Sequence, residues 1–112
     1  MPENVADALG ITLSNFVSFD ELVSTLTDPN CRPTRLKRFM PRKEAENAFA
    51  GALSKEFFKE RSLFSYYFSE GWLEFVLWFD EKSRLRRLYI QHKCITQQEG
   101  IEIHLFTMDS TL

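Results

Sequence analysis

The sequence predicts an α+β domain, with helices in its first half and a four-stranded antiparallel β-meander in its second. Two observations carry that expectation. Up to about residue 61 the apolar residues recur at i, i+3, i+4 and i+7, and after Ser62 the period falls to 2. The strand-like runs are then joined by short turns, which make successive strands antiparallel neighbours. A chain of 112 residues matches the commonest domain size, so residues 1–112 read as one domain. A domain of that length buries roughly two-thirds of the surface its unfolded chain exposes, enough for a core without disulfides.

The first helix is short. Val5, Ala6 and Leu9 form its stripe, and Gly10 stands where a left-handed residue ends a helix. Ile11 to Phe16 is ambiguous between a short strand and a connection. Ser18 then offers an N-cap, with Glu21 three residues on and a Val17–Leu22 staple. Leu22, Val23 and Leu26 continue that helix, and Asp28-Pro29 stops it. Cys31 to Met40 reads as a basic connection.

Pro41 suits the first position of a helix, and the longest helix is expected from about 41 to 61. Its stripe is Ala45, Ala48, Phe49, Ala52, Leu53 and Phe57, with Glu56 on the same side. The expected strands are about 63–69, 72–80, 84–94 and 101–106, with turns at Glu70-Gly71, Asp80 to Ser83 and Glu99-Gly100. In the second, Leu73, Phe75, Leu77 and Phe79 line one face, and Trp72, Glu74, Val76 and Trp78 the other. The long helix is expected to cover the first of these faces. The tail from Thr107 reads as loose.

Composition narrows the function. The net charge is −2, unlike the strongly basic domains that bind polyanions, so no nucleic-acid partner is expected. No leader segment is evident and no apolar run approaches the roughly 20 residues of a membrane span. With only two cysteines, Cys31 and Cys94, the expectation is a reduced, cytoplasmic protein. No P-loop, G-x-S-x-G, dinucleotide turn or H-E-x-x-H is present, so no cofactor or catalytic set is expected. His92, Cys94 and His104 are metal-ligand types, but no fourth ligand can be named and no metal site is expected. Glu56 on an apolar stripe admits an acid–base role, though the end of a stripe or an arginine partner accounts for such a residue more simply.

The aromatic content is the informative excess: eleven Phe, three Tyr and two Trp make 14% of the chain. The second face of a two-layer sheet is expected to be polar, yet here it carries Trp72, Val76 and Trp78. Either the chain's own N-terminus covers these rings, or they meet a partner or a second copy, or they border a small-molecule cleft. The expectation is a non-enzymatic binding protein: an inhibitor, immunity protein, chaperone or adaptor engaging one specific protein such as a toxin, effector or enzyme. Trp72, Trp78, Tyr66 and Tyr89 are its expected anchors, with Arg84, Arg86 and Arg87 as a polar rim suited to an acidic protein. A homodimer through the same face, and a small enzyme or ligand binder with a cleft between sheet and long helix, are the alternatives.

Overall fold

The computed structural model describes residues 2–11 and 18–108. Its architecture is mixed α+β. Among the described residues three short helices, α1 (Pro2–Leu9), α2 (Phe19–Leu26) and α3 (Arg42–Asn47), accompany two sheets. The larger sheet is five-stranded and antiparallel, in the order β2 (Ser54–Phe57), β3 (Arg61–Phe68), β4 (Gly71–Phe79), β5 (Leu85–Gln91), β6 (Ile101–Ile103). The smaller pairs β1 (Lys37–Arg38) with β7 (Phe106–Thr107) in parallel. Thr107, expected in a loose tail, is thus tied to Arg38.

The two N-terminal helices follow their sequence signals. Val5, Ala6 and Leu9 bury the α1 stripe. Gly10 closes it at φ 71°, with Gly10 N–H donating to Asp7 and Ile11 N–H to Ala6. A side chain at Gly10 would collide with Thr34 and Arg35, whose backbone amides donate to the carbonyls of Gly10 and of Leu9, the last residue of α1. Ser18 caps α2, its Oγ accepting from the Glu21 amide at 3.1 Å. Phe19, Leu22 and Leu26 are buried. Val17 and the ambiguous stretch up to Phe16 lie outside the described residues, apart from Ile11, which packs against the core.

The long helix is where the fold departs from expectation. Instead of running from 41 to 61, α3 spans six residues after a non-helical Pro41. The chain then tightens into i→i−3 bonds at Ala48, Phe49, Ala50 and Ala52, and re-emerges as the extra strand β2. Tertiary contacts override the helical pattern at this point. Phe49 is fully buried, stacked on Phe64 with centroids 4.8 Å apart and tilted against Phe75 at 5.4 Å. With Phe49 filling that place over the sheet, the residues after it pair with the free edge of β3 instead. Ser54 to Phe57 align with Ser65 to Ser62, and Lys59-Glu60 make the turn.

An arginine holds the new hairpin. Arg42 Nε donates to Glu46 at 2.9 Å, while its Nη atoms reach the Lys59 and Phe58 carbonyls at 2.8 and 2.7 Å. Buried Ser62 donates to the same Glu46 carboxylate and accepts from Arg42 at 3.1 Å. The guanidinium also lies over Phe79, 4.6 Å from its ring centre. One side chain therefore joins α3, the β2–β3 turn and the end of β4.

The expected meander corresponds to β3–β6: β3 begins two residues early, β4 is displaced by one residue, and β5 and β6 are shorter than expected. A two-residue turn at Ser69-Glu70 pairs Phe68 with Gly71, Tyr67 with Trp72 and so on to Arg61 with Trp78. Gly71 leaves room for Phe19, which would stand 3.1 Å from an added Cβ. The fourth expected strand divides into β6 and β7, and β5 ends at Gln91, so residues 92–100 form a loop. Leu73, Phe75, Leu77 and Phe79 line the core face as expected, joined by Phe64, Leu88, Ile90 and Ile103.

Two neighbouring residues separate this fold from a continuous helix. Phe49→Ala is expected to cost about 3–5 kcal/mol in urea unfolding, the range for a fully buried phenylalanine. Leu53→Ala is expected to change stability by less than about 0.5 kcal/mol, because Leu53 is 75% exposed. Equal losses at both positions would fit one helical stripe and refute the break after α3.

Candidate functional site

Strand alternation makes the opposite sheet face from the same strands. Cross-strand pairing arranges it in rows. Tyr67 and Trp72 form the row nearest the Ser69-Glu70 turn. Ser65, Glu74 and Gln91 follow, then Glu56, Leu63, Val76, Tyr89 and Glu102. The last row holds Arg61, Trp78 and Arg87, with Phe58 beyond Arg61. None of these side chains is buried. Tyr67 is 58% exposed and Trp72 37%.

The rings are braced by polar neighbours within the sheet. Arg61 places its guanidinium 5.1 Å from the Phe58 ring centre and 5.3 Å from that of Trp78. Trp72 packs beside His92 at a centroid distance of 6.2 Å, and His92 Nδ1 donates to the Trp72 carbonyl at 3.0 Å. His92 in turn lies 5.3 Å from Phe19, so α2 buttresses this end of the face through the imidazole.

A bulge shapes the other end. Between Trp78 and Phe79 the register shifts, so that Arg87 opposes Trp78 but Leu85 opposes Phe79, and Arg86 is the extra residue. Trp78, Arg86, Arg87, Tyr89 and Glu99 line an open cleft of about 360 Å³. Asp80 organises the adjoining turn. Its Oδ1 accepts from the Lys82 and Arg84 amides, and its Oδ2 accepts from Arg84 Nε at 3.0 Å and lies 3.7 Å from Arg86. Desolvation works to raise the Asp80 carboxyl, but the bonds from Arg84 and Lys82 outweigh it and hold the group below the usual range. Arg84 and Arg86 also lie over Phe39, at 5.3 and 5.0 Å. Arg87 is 3.6 Å from Glu102; its pKa is pushed up by a hydrogen bond with Tyr89 and by that carboxylate.

Of the expected anchors, Trp72, Trp78 and Tyr89 share this face, but Tyr66 does not. It aligns with Leu73 on the core side, packs edge-on to Phe75 and is only 8% exposed. Burial pushes its hydroxyl up to about 12. The exposed tyrosine of that strand is its neighbour Tyr67. Its signal was present in the sequence: any two-residue turn between these strands pairs an even-numbered residue with an odd-numbered one, so Trp72 must face Tyr67 rather than Tyr66.

The chemistry-bearing residues weighed from sequence are dispersed. Glu56 lies exposed on β2, not on a helix. His104 and Cys94 are exposed, and both cysteines are free. The Cys31 thiol is pushed up by burial and by Asp28, with Arg32 opposing, which makes it a poor source of thiolate. Among the described residues, no three His, Cys, Asp or Glu are grouped so as to hold a metal ion, and no helix is long and apolar enough to cross a membrane.

Glu74 is the odd group on the aromatic face. Desolvation and the charge of Glu56 push its carboxyl above the usual glutamate range, and Arg61 offsets this only in part. A raised folded-state pKa means folding disfavours the carboxylate, so stability falls as pH rises from the unfolded value through the folded one. Glu74→Gln is therefore expected to raise Tm at neutral pH, with the gap closing on acidification below the ordinary glutamate range. Asp80→Asn has the opposite sign: it lowers Tm at neutral pH, and the difference shrinks as acid protonates Asp80 in the native chain. Thermal melts across a pH series check both, and a Glu74 gap that widens in acid would refute the assignment.

No family model, curated protein or solved structure matches the chain, so its own geometry is what bears on function.

Proposed function

We propose that the chain is a non-enzymatic protein-binding module that engages one specific protein partner, in the manner of an inhibitor, immunity protein, chaperone or adaptor. The observation that carries this reading is the aromatic outer sheet face, on which none of the described side chains is buried. Tyr67, Trp72, Leu63, Val76, Trp78 and Tyr89 lie on it with no buried member, while the opposite face holds a filled core. Exposed aromatic and apolar side chains gathered on one face mark interaction sites, and Trp, Tyr and Arg dominate binding hot spots. The bracing of Trp72 by His92 and of Trp78 by Arg61 supports the reading further, because rings already held in place lose little freedom on binding. Tyr67 takes the anchoring role first given to Tyr66, and Arg61 joins Arg87 at the rim. The dispersal of His92, His104, Cys31 and Cys94 supports binding over catalysis.

The double substitution Trp72→Ala, Trp78→Ala tests the proposal. Both rings are partly exposed, so the variant is expected to fold, with a thermal transition close to that of the parent. Affinity capture from native lysate, quantified by mass spectrometry, is expected to recover a protein with the parent chain and lose it with the variant. Recovery of the same proteins by both would rule out this face as the binding surface. Sedimentation at micromolar concentration checks the homodimer alternative, in which the parent is a dimer and the variant a monomer.

A further inference from the structure

The five-stranded sheet ends on an open edge. The order β2-β3-β4-β5-β6 leaves β2 with a strand on one side only among the described residues. The Phe58 amide donates to the Arg61 carbonyl at 2.8 Å and closes the hairpin, which fixes the alternation along the strand. Ser54 and Glu56, opposite Ser65 and Leu63, then turn their backbone groups to β3, while the amides and carbonyls of Lys55 and Phe57 point away from it. Lys55, Glu56 and Phe57 are all exposed. Phe57 is 59% exposed even though its ring meets Phe64 edge-on at 5.9 Å. The core rings Phe49 and Phe64 are thus continued to the edge of the sheet by a ring that nothing covers among the described residues.

Outward amides and carbonyls on an exposed strand form a template for a further strand. The side chains decide which strand can take the place. A second copy would add antiparallel about a two-fold axis normal to the sheet. Such an axis keeps the core faces of both copies on one side, so only residues of equal parity can oppose each other. The two registers that align the strand are therefore centred on Lys55 or on Glu56. The first sets two Lys55 ammonium groups directly opposite each other and the second two Glu56 carboxylates, and like charges so placed are destabilising. A foreign strand is free of that symmetry. It can set a carboxylate against Lys55 and a cation against Glu56 at once, with an apolar residue beside Phe57.

We propose that β2 is a separate binding site, an edge that accepts an extended segment of a partner protein as a further antiparallel strand. From its N-terminal end, the segment carries an apolar residue opposite Phe57, Lys or Arg opposite Glu56, and Asp or Glu opposite Lys55. Its backbone pairs with Lys55 and Phe57. The edge site goes beyond the reading of the outer face and holds whatever covers Trp72 and Trp78.

A random-peptide display selection against the whole chain tests it, with the enriched peptides synthesised as probes. Peptides with the order apolar, basic, acidic are expected. When they bind, the Lys55 and Phe57 amides are expected to gain protection from hydrogen exchange, while the Glu56 amide, already bonded to β3, changes little. Lys55→Pro removes the outward N–H without touching a bond to β3. That variant is expected to stay folded in thermal melts and to lose affinity at least about tenfold. The double exchange Lys55→Glu, Glu56→Lys is expected to enrich the order apolar, acidic, basic instead. Trp72→Ala, Trp78→Ala is expected to bind these peptides as the parent does. Peptides that leave the Lys55 and Phe57 amides unprotected, or that bind Lys55→Pro like the parent, overturn the edge site. Peptides that need the two indoles overturn it too, and leave the outer-face reading standing. Enrichment without the expected order, or a dimer in sedimentation that Lys55→Pro breaks apart, likewise ends the proposal.

Discussion

The register set by the Ser69-Glu70 turn is the constraint on which both faces of this protein depend. Pairing Phe68 with Gly71 makes every even-numbered residue of β3 share a face with an odd-numbered residue of β4. One face then collects Phe64, Tyr66, Leu73, Phe75 and Leu77, all buried. The other collects Leu63, Tyr67, Trp72, Glu74, Val76 and Trp78. A slip of one residue would drive Glu74 into the core and expose Phe75 and Leu77, so the hydrophobic pattern enforces the register as strongly as the turn does. Core and candidate site are two readings of a single pairing.

That coupling explains why some of the architecture was legible in the sequence. Alternation in β4 is local and strong, so its two faces follow from the residues alone. Gly10 and Ser18 are likewise local, since each acts through its own backbone or one nearby amide. The segment after Pro41 is different. Its stripe of Ala45, Ala48, Phe49 and Ala52 satisfies a helix, and nothing nearby forbids continuation. What ends α3 is remote in sequence: Phe49 fits against Phe64 and Phe75, and Arg42 captures the carbonyls of Phe58 and Lys59. The apolar period is the same whether those residues face a sheet from a helix or from a tight turn, and only the unfilled edge of β3 decides between them.

The site was legible in the same uneven way. Trp72 and Trp78 stand out because large rings on the second face of a sheet conflict with the polar pattern expected there. Residue type alone groups Tyr66 with them, although strand parity assigns that place to Tyr67. The arginines read as a free rim because sequence shows charge but not partners. Their contacts depend on the bulge at Trp78/Phe79, which sets Arg86 and Arg87 beside the indole, and on the turn that lets Asp80 meet both Arg84 and Arg86. A register shift of one residue leaves no mark in composition or period, so its electrostatic consequences appear only in the fold.

A free chain must also tolerate such a face in water. The rings here do not form one uninterrupted apolar sheet: Arg61 intervenes between Phe58 and Trp78, Glu74 between Trp72 and Val76, and Glu56 and Glu102 flank the central row. Charges placed in this way keep an exposed sheet face hydrated and discourage self-association.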